Sequence, residues 1–227
     1  MDQTATLIGA SGLIGSHLLQ LLLNDNSYTT VKILVRRPLL IQHPKLQEII
    51  IDFDNKKAIE QAIAGSSVVF SAVGTTQKKV KGDKNAYRKV DFDIPVNAAK
   101  AAAKFGVYSF VLVSSVGANA ANNNNFYLKL KGEVEDIVKK VGIESTYIMR
   151  PSMLLGKRNE FRFGERMATP LIKKIAFLLP SKYKPIEARD VAKSMLAAAK
   201  KHEKGYFVCE HERMKRLGMG IKDLKHL

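Results

Sequence analysis

The chain has 227 residues, 46% of them hydrophobic and 26% charged, a balance that suits a globular α/β domain with ample length for a core. One cysteine, Cys209, excludes an internal disulfide framework and argues against a cysteine-built metal cage, and no apolar run approaches the ~18 residues of a membrane span. The formal net charge of +16 admits nucleic acid or an anionic membrane as a partner, yet lysines without interleaved aromatics read more simply as a solvated surface that also draws in a polyanionic cofactor.

The run Thr4-Ala5-Thr6-Leu7-Ile8 predicts a strand, and Leu13, Ile14, Leu18, Leu21 and Leu22 share one face of a following helix. The chain enters this pattern at once, with no basic leader or cleavage site, so a cytoplasmic location is expected. Between strand and helix stands Gly9-Ala10-Ser11-Gly12-Leu13-Ile14-Gly15, the context in which a dinucleotide fingerprint has meaning. Gly9 takes the turn off the strand, Gly12 lets backbone approach a pyrophosphate, and Gly15 lets the helix close on the sheet. The helix N-terminus adds free N–H groups, so Gly9, Ser11, Gly12, Leu13, Ile14 and Gly15 are candidate cofactor contacts.

Val31 to Val35 predicts a second strand, ending at Arg36-Arg37-Pro38. An acid here, about 20 residues past the glycines, would hold a ribose 2′-hydroxyl; two arginines suit a 2′-phosphate instead and favour NADP(H) over NAD(H). Gln47 to Ile51 predicts the third strand. It runs into Asp52 and Phe53, which either contact the adenine or simply turn the chain toward a helix over 56–64. Ser67 to Val73 predicts a buried fourth strand, and Ala72-Val73-Gly74 brings backbone close to a bound cofactor. A basic loop over 77–84 leads into a helix from about Asn85 to Phe105, with a kink or break at Pro95. Val107 to Val113 is the fifth strand. The alternation describes a Rossmann-like α/β fold: a doubly wound parallel sheet with helices on both faces, in one domain over 1–227.

The fifth strand ends in Ser114-Ser115, on the sheet edge where ligands sit. Past the asparagine loop 122–125, Tyr127 and Lys131 stand four apart on one helix face. A phenol normally titrates near 10, and a neighbouring ammonium would lower that value enough for acid/base work at neutral pH. Ser115 would hold the substrate oxygen, with Ser114 the alternative should the register shift by one. Lys131 could also reach the nicotinamide ribose. A second Tyr-x-x-x-Lys, Tyr28 to Lys32, leads into a strand and is read as a decoy.

With Gly9-x-x-Gly12-x-x-Gly15, Ser114-Ser115 and Tyr127-x-x-x-Lys131 in this order, the chain resembles an atypical short-chain dehydrogenase/reductase. The run from Tyr127 to Glu135, with Val113 to Asn119 before it, is similar to the Tat-interactive oxidoreductase branch and its bacterial relatives. The resemblance spans roughly residues 4 to 210. It implies an NADP site, with Ser115, Tyr127 and Lys131 as the reductase triad and Tyr127, Lys131 and Ser114 also beside the cofactor. It further implies that the loop after the sixth strand (Ser145 to Met149), with Pro151 and Met153, lies against the nicotinamide. Two departures stand out. Ala72-Val73-Gly74 replaces the family's Asn-Ala-Gly, and Asp91 stands where the family has a helix asparagine, which weakens a proton relay through that position.

Lys157, Arg158 and Arg162 place cations near the expected mouth and would suit an acidic substrate, and a short apolar helix between Pro170 and Pro180 would pack over the site. The run from Ile186 to Ala192 starts a helix, Gly205 to Cys209 is the last strand, and the basic tail from Glu210 is weakly patterned. Substrate-side elements are expected within 150–185 and 205–227. The histidines show no ligand spacing, and Cys209 reads as packed rather than reactive. The expected activity is NADP(H)-dependent hydride transfer to or from a small carbonyl or alcohol, with Tyr127 as acid/base. Two other readings remain: a dinucleotide-sensing protein with a protein partner and little turnover, as NmrA-like regulators are, and a sugar-nucleotide epimerase. A homodimer is compatible with either.

Overall fold

The computed structural model describes residues 3–156 and 180–221. In chain order the elements are β1 (Thr4–Ile8), α1 (Leu13–Asn24), β2 (Thr30–Val35), β3 (Leu46–Ile50), α2 (Lys56–Ile63), β4 (Val68–Ser71) and α3 (Lys84–Arg88). A π turn (Lys89–Asp93) joins α3 to α4 (Ile94–Lys104), followed by β5 (Ser109–Val113), α5 (Phe126–Val141), β6 (Ser145–Met149) and β7 (Leu154–Leu155). Then come β8 (Ile186–Glu187), α6 (Ala188–Ala199), β9 (Gly205–Cys209) and α7 (His211–Gly218). Seven strands form one parallel sheet in the order β3-β2-β1-β4-β5-β6-β9, while β7 and β8 pair separately. The order reverses at β1 and β4. That reversal opens a crevice at the carboxyl ends, where an open α/β sheet holds its ligands.

The central strands are apolar throughout because both faces are covered. Leu7, Ile33, Phe70 and Tyr147 pack under α1, α6 and α7, against Leu18, Leu22, Val191, Met195 and Met214. Their neighbours Ile8, Leu34, Val69 and Ile148 point the other way, against Ile59 and Ile63 of α2, Ala98 and Ala102 of α4, and Val134 and Val138 of α5. The doubly wound Rossmann-like architecture expected from the sequence is the one found.

Three elements differ from expectation. Ile186 and Glu187, expected to start a helix, instead pair as β8 with β7, a small sheet that was not expected, and α6 begins at Ala188. The single helix over 85–105 is instead α3, a π turn and α4, with Pro95 in the first turn of α4. Pro95 has no N–H to donate and crowds the carbonyl one turn back, and a wide turn before it accommodates both. The tail past Glu210 forms α7, because Met214, Leu217 and Ile221 fall at helical spacing and bury against the α1/α6 face. The apolar helix expected between Pro170 and Pro180 and the cations Lys157, Arg158 and Arg162 fall on 157–179, outside the described residues. Among the described residues no helix is long and apolar enough to cross a membrane.

α5 seats on the loop before it at Gly132. A Cβ there would lie 2.1 Å from the Ala120 nitrogen and 2.3 Å from the Asn119 carbonyl carbon, both backbone. Gly132→Ala should therefore cost about 3 kcal/mol in urea unfolding. Gly65→Ala, where φ is +75° and nothing lies within 4 Å, should cost only about 1–2 kcal/mol of left-handed backbone strain. Equal costs would show that α5 does not depend on this close approach.

Candidate active site

At the start of the crevice, Gly9 leaves β1 with φ +92°, and a Cβ there would meet the Ala72 carbonyl at 2.7 Å. A Cβ on Gly15 would lie 2.0 Å from the Gly9 oxygen, so only glycine lets the first turn of α1 rest on the exit of β1. The Gly12 N–H closes the turn onto the Gly9 carbonyl (2.9 Å). Gly12 has no side chain to cap α1, and Ser16 Oγ turns back to the Leu13 carbonyl (3.2 Å). Leu13 and Ile14 thus present helix N-terminal N–H groups to the crevice, with Ser11 exposed beside them. A cradle with no Cβ, helix-terminal donors and the positive end of a dipole fits a pyrophosphate.

Arg36 and Arg37 are exposed immediately after β2, and among the described residues no ion pair engages either guanidinium. Asp52 Oδ1 accepts the Asp54 N–H (3.0 Å), so one carboxylate oxygen already serves the turn. Phe53 packs half-buried on the α2/α4 side. Ala72 and Val73 lean to opposite faces of the sheet, and Gly74 is exposed.

The exit of β4 ties this cradle to the tyrosine. Thr75 donates its N–H to Asp91 Oδ2 (2.7 Å), and Asp91 Oδ1 lies 3.0 Å from Lys131 Nζ. Asp91 sits on the π turn, which aims it inward, and both members of the pair are buried. Lys131 Nζ lies 5.9 Å from the centre of the Tyr127 ring. Burial alone would push the Lys131 ammonium down. The Asp91 carboxylate, then Tyr127, then Glu135 outweigh it and hold the group above the ordinary lysine value. Lys131 is therefore a fixed positive charge near the phenol. Asn125 caps α5 by accepting the Leu128 N–H (3.1 Å), which places Tyr127 in the first turn, edge-on to Tyr87 at 6.3 Å.

The two serines have different surroundings. Ser114 Oγ donates to the buried Glu135 carboxylate, which Arg150 clamps through Nε (3.0 Å to Oε1) and Nη2 (2.5 Å to Oε2). Ser115 is half-buried, and among the described residues its Oγ reaches the Val116 carbonyl alone, at 3.3 Å. The Val116 N–H in turn donates to the Pro151 carbonyl (3.0 Å), which ties the loops after β5 and β6 together; Met153 is exposed beyond them. Sequence reasoning missed Thr75, Tyr87, Glu135 and Arg150. Only Glu135 left a trace, four residues past Lys131 on the same helical face.

The decoy pair is inert. Tyr28 is buried, and that burial, with the Asp25 charge, pushes its phenol up, while Lys32 Nζ donates to the carbonyls of Ala62 and Ala64 at the end of α2. Cys209 is also buried, its thiol pushed up to about 11 by that burial. Among the described residues no group of side chains is arranged to hold a metal ion.

A family profile described as NAD(P)H-binding matches residues 9–203. The chain belongs to the NAD(P)H-binding family. Within it, this NAD(P)H-binding chain is 35% identical over 198 residues to protein FMP52, mitochondrial, of Debaryomyces hansenii, covering 84% of each chain. It is 34% identical to the protein of the same name from Candida albicans, over 86% of this chain and 87% of that one. The fold is shared with uronate dehydrogenase from Agrobacterium tumefaciens, at a TM-score of 0.71 and 16% identity over 98% of this chain and 85% of that one. It is shared also with UDP-N-acetylglucosamine 4-epimerase from Methanobrevibacter ruminantium, at 0.71 and 17% over 95% and 80%. The relatives' names overturn the cytoplasmic expectation and point to a mitochondrial one. A pattern without a secretory leader speaks to export alone, and a lone cysteine reports redox poise and not address, so neither could separate the two.

Asp91→Asn would leave the Lys131 charge buried without its partner, at an expected cost of about 3–5 kcal/mol in urea unfolding at pH 7. A lysine raised on folding stabilises fully below its unfolded value near 10.5 and loses that contribution as pH climbs through the folded one. The difference between wild type and variant should thus be flat from about pH 7 to 10 and shrink above. A cost below about 1 kcal/mol at neutral pH would show that the pair does not hold the site.

Proposed function

We propose that the chain is an NADP(H)-dependent oxidoreductase that interconverts a small carbonyl compound and its alcohol, with Tyr127 as the acid/base. The observation that carries this reading is the Tyr127 phenol near a buried, carboxylate-held ammonium, linked through Asp91, Thr75 and Ala72 to the glycine cradle.

In this reading the cradle of Gly9, Ser11, Gly12, Leu13, Ile14 and Gly15 holds the pyrophosphate. Arg36 and Arg37, with no acid at the end of β2 to repel it, hold the 2′-phosphate. Asp52 and Phe53 border the adenine, and Ala72, Val73, Gly74, Ser114, Pro151 and Met153 border the rest of the cofactor. When bound, NADPH supplies the hydride. Ser115 donates a hydrogen bond to the substrate oxygen, and Tyr127 gives it a proton in reduction or takes one in oxidation. The Lys131 ammonium stabilises the phenolate that reduction leaves behind, and Asp91 keeps that ammonium in place. The whole chain serves as one domain, with substrate-side elements within 150–185 and 205–227, of which 157–179 and 222–227 lie outside the described residues.

Tyr127→Phe should lower turnover by about 100-fold or more while leaving NADPH affinity within about twofold, measured by steady-state kinetics and by fluorescence titration. Undiminished turnover would remove Tyr127 from the mechanism. If the wild type binds NADPH and turns over no carbonyl or alcohol in a broad panel, a dinucleotide-sensing role is supported instead. Parallel titrations with NADPH and NADH should favour NADPH, and the Arg36→Ala/Arg37→Ala variant should reduce that preference about tenfold or more. Equal affinities in the wild type would rule out the 2′-phosphate site.

A further inference from the structure

The segments that meet at Tyr127 are electrically one-sided. One wall of charge is the loop after β4 together with α3 and the π turn, which touches the start of α5 through Lys84 and Tyr87. It carries Lys78, Lys79, Lys81, Lys84, Arg88 and Lys89 against the acids Asp83, Asp91 and Asp93. The other wall, from Ser114 to Gly132, contains Lys129 and Lys131 and no aspartate or glutamate at all.

Local pairing does not cancel this field. Asp83 caps α3, accepting the N–H groups of Asn85 (2.8 Å) and Ala86 (3.2 Å), and Asp91 holds Lys131. Glu133 takes Arg88 and Asp54 takes Lys89, both at 2.8 Å. Lys129 Nζ donates to a neutral amide, Asn123 Oδ1 (3.2 Å), and among the described residues no carboxylate pairs with it. Lys78, Lys81 and Lys84 are exposed, and among the described residues no carboxylate pairs with them.

The cationic wall is anchored beside the phenol. Lys84 Nζ stands 5.6 Å from the ring centre of Phe126, the residue before Tyr127, and Tyr87 packs edge-on against both rings. We propose that Lys78, Lys81 and Lys84 form a recognition rim for a carbonyl substrate that bears an anionic group, a carboxylate or a phosphate. This rests on the oxidoreductase reading above. The anionic group is unchanged in the reaction: the carbonyl carbon accepts a hydride from NADPH, its oxygen accepts the Tyr127 proton, and the alcohol and NADP⁺ leave. Several like charges beside a low-dielectric wall raise the local concentration of an anion and its association rate, by about 10-fold or more. Because these lysines are exposed, salt screens them within a Debye length of about 8 Å at physiological ionic strength.

The test compares matched aldehydes on the full chain: 4-carboxybenzaldehyde against its methyl ester, and glyceraldehyde 3-phosphate against glyceraldehyde. At low salt, kcat/KM should favour the anionic member of at least one pair by about tenfold, and the pair that responds names the anion. That ratio should fall toward one at about 300 mM NaCl, and also in the Lys78→Gln/Lys81→Gln/Lys84→Gln variant. By calorimetry, 4-carboxybenzyl alcohol (or glycerol 3-phosphate) should bind the NADPH complex about tenfold more weakly in the variant, while NADPH affinity stays within about twofold. Ratios near one in the wild type, or ratios untouched by the variant, overturn the proposal. So does a parallel loss of NADPH affinity, which assigns the rim to the cofactor, or loss of binding to phosphatidylglycerol vesicles alone, which assigns it to a membrane. If no aldehyde is reduced yet the variant loses the anionic alcohol, the rim stands and the oxidoreductase reading fails. If aldehydes are reduced without anion preference, the oxidoreductase reading stands and the rim fails.

Discussion

A lysine ammonium cannot stay charged inside a protein without a countercharge, and the candidate site is built around meeting that condition. Lys131 is buried on the inner face of α5, and Asp91 answers it at 3.0 Å. Asp91 reaches it because the helix after β4 opens into a π turn at that point. Its second oxygen fastens the backbone at Thr75, two steps past the Ala72-Val73 stretch on which Gly9 rests. A single ion pair thereby couples the loop beside the glycine cradle to the helix that carries the phenol. Desolvating two charges is costly, so its structural value lies in fixing position more than in adding stability.

A second ion pair, its carboxylate buried and its guanidinium half-buried, performs a parallel task one strand over. Glu135 accepts from Ser114 and from Arg150, which ties the ends of β5 and β6 to the middle of α5. Because Ser114 is turned inward in this way, the adjacent serine stays on the open side. Two neighbouring residues of one type are sorted by a carboxylate on a different element. No spacing rule applied to Ser114-Ser115 alone could separate them.

That contrast marks how far the sequence could be read. The seven strands of the main sheet and the glycine cradle were legible because burial on both faces leaves apolar runs, and because a phosphate turn leaves glycines at set intervals. Tyr127 and Lys131 were legible because residues four apart on a helix share a face. What stayed hidden depends on non-local contact or on backbone that departs from the common periods. The π turn at Lys89–Asp93 breaks the 3.6 repeat, so the direction of Asp91 could not be projected from helical spacing. Thr75 stands 16 residues from Asp91, Tyr87 stands 12 from Thr75, and Arg150 stands 15 from Glu135. In each case the partner sits on another element, so only the folded chain brings the two together.

The seating of α5 on Asn119 and Ala120 through Gly132 has a consequence for how this region can change. The fulcrum of the helix lies C-terminal to Tyr127, so the phenol takes its place from backbone-to-backbone contact behind it and from the Asn125 cap just ahead of it, and not from the residues before that cap. Residues 121 to 124 can then lengthen, shorten or drift in composition without carrying the reactive group along. The polar tract is free to be redrawn while the chemistry stays where the glycine has docked it.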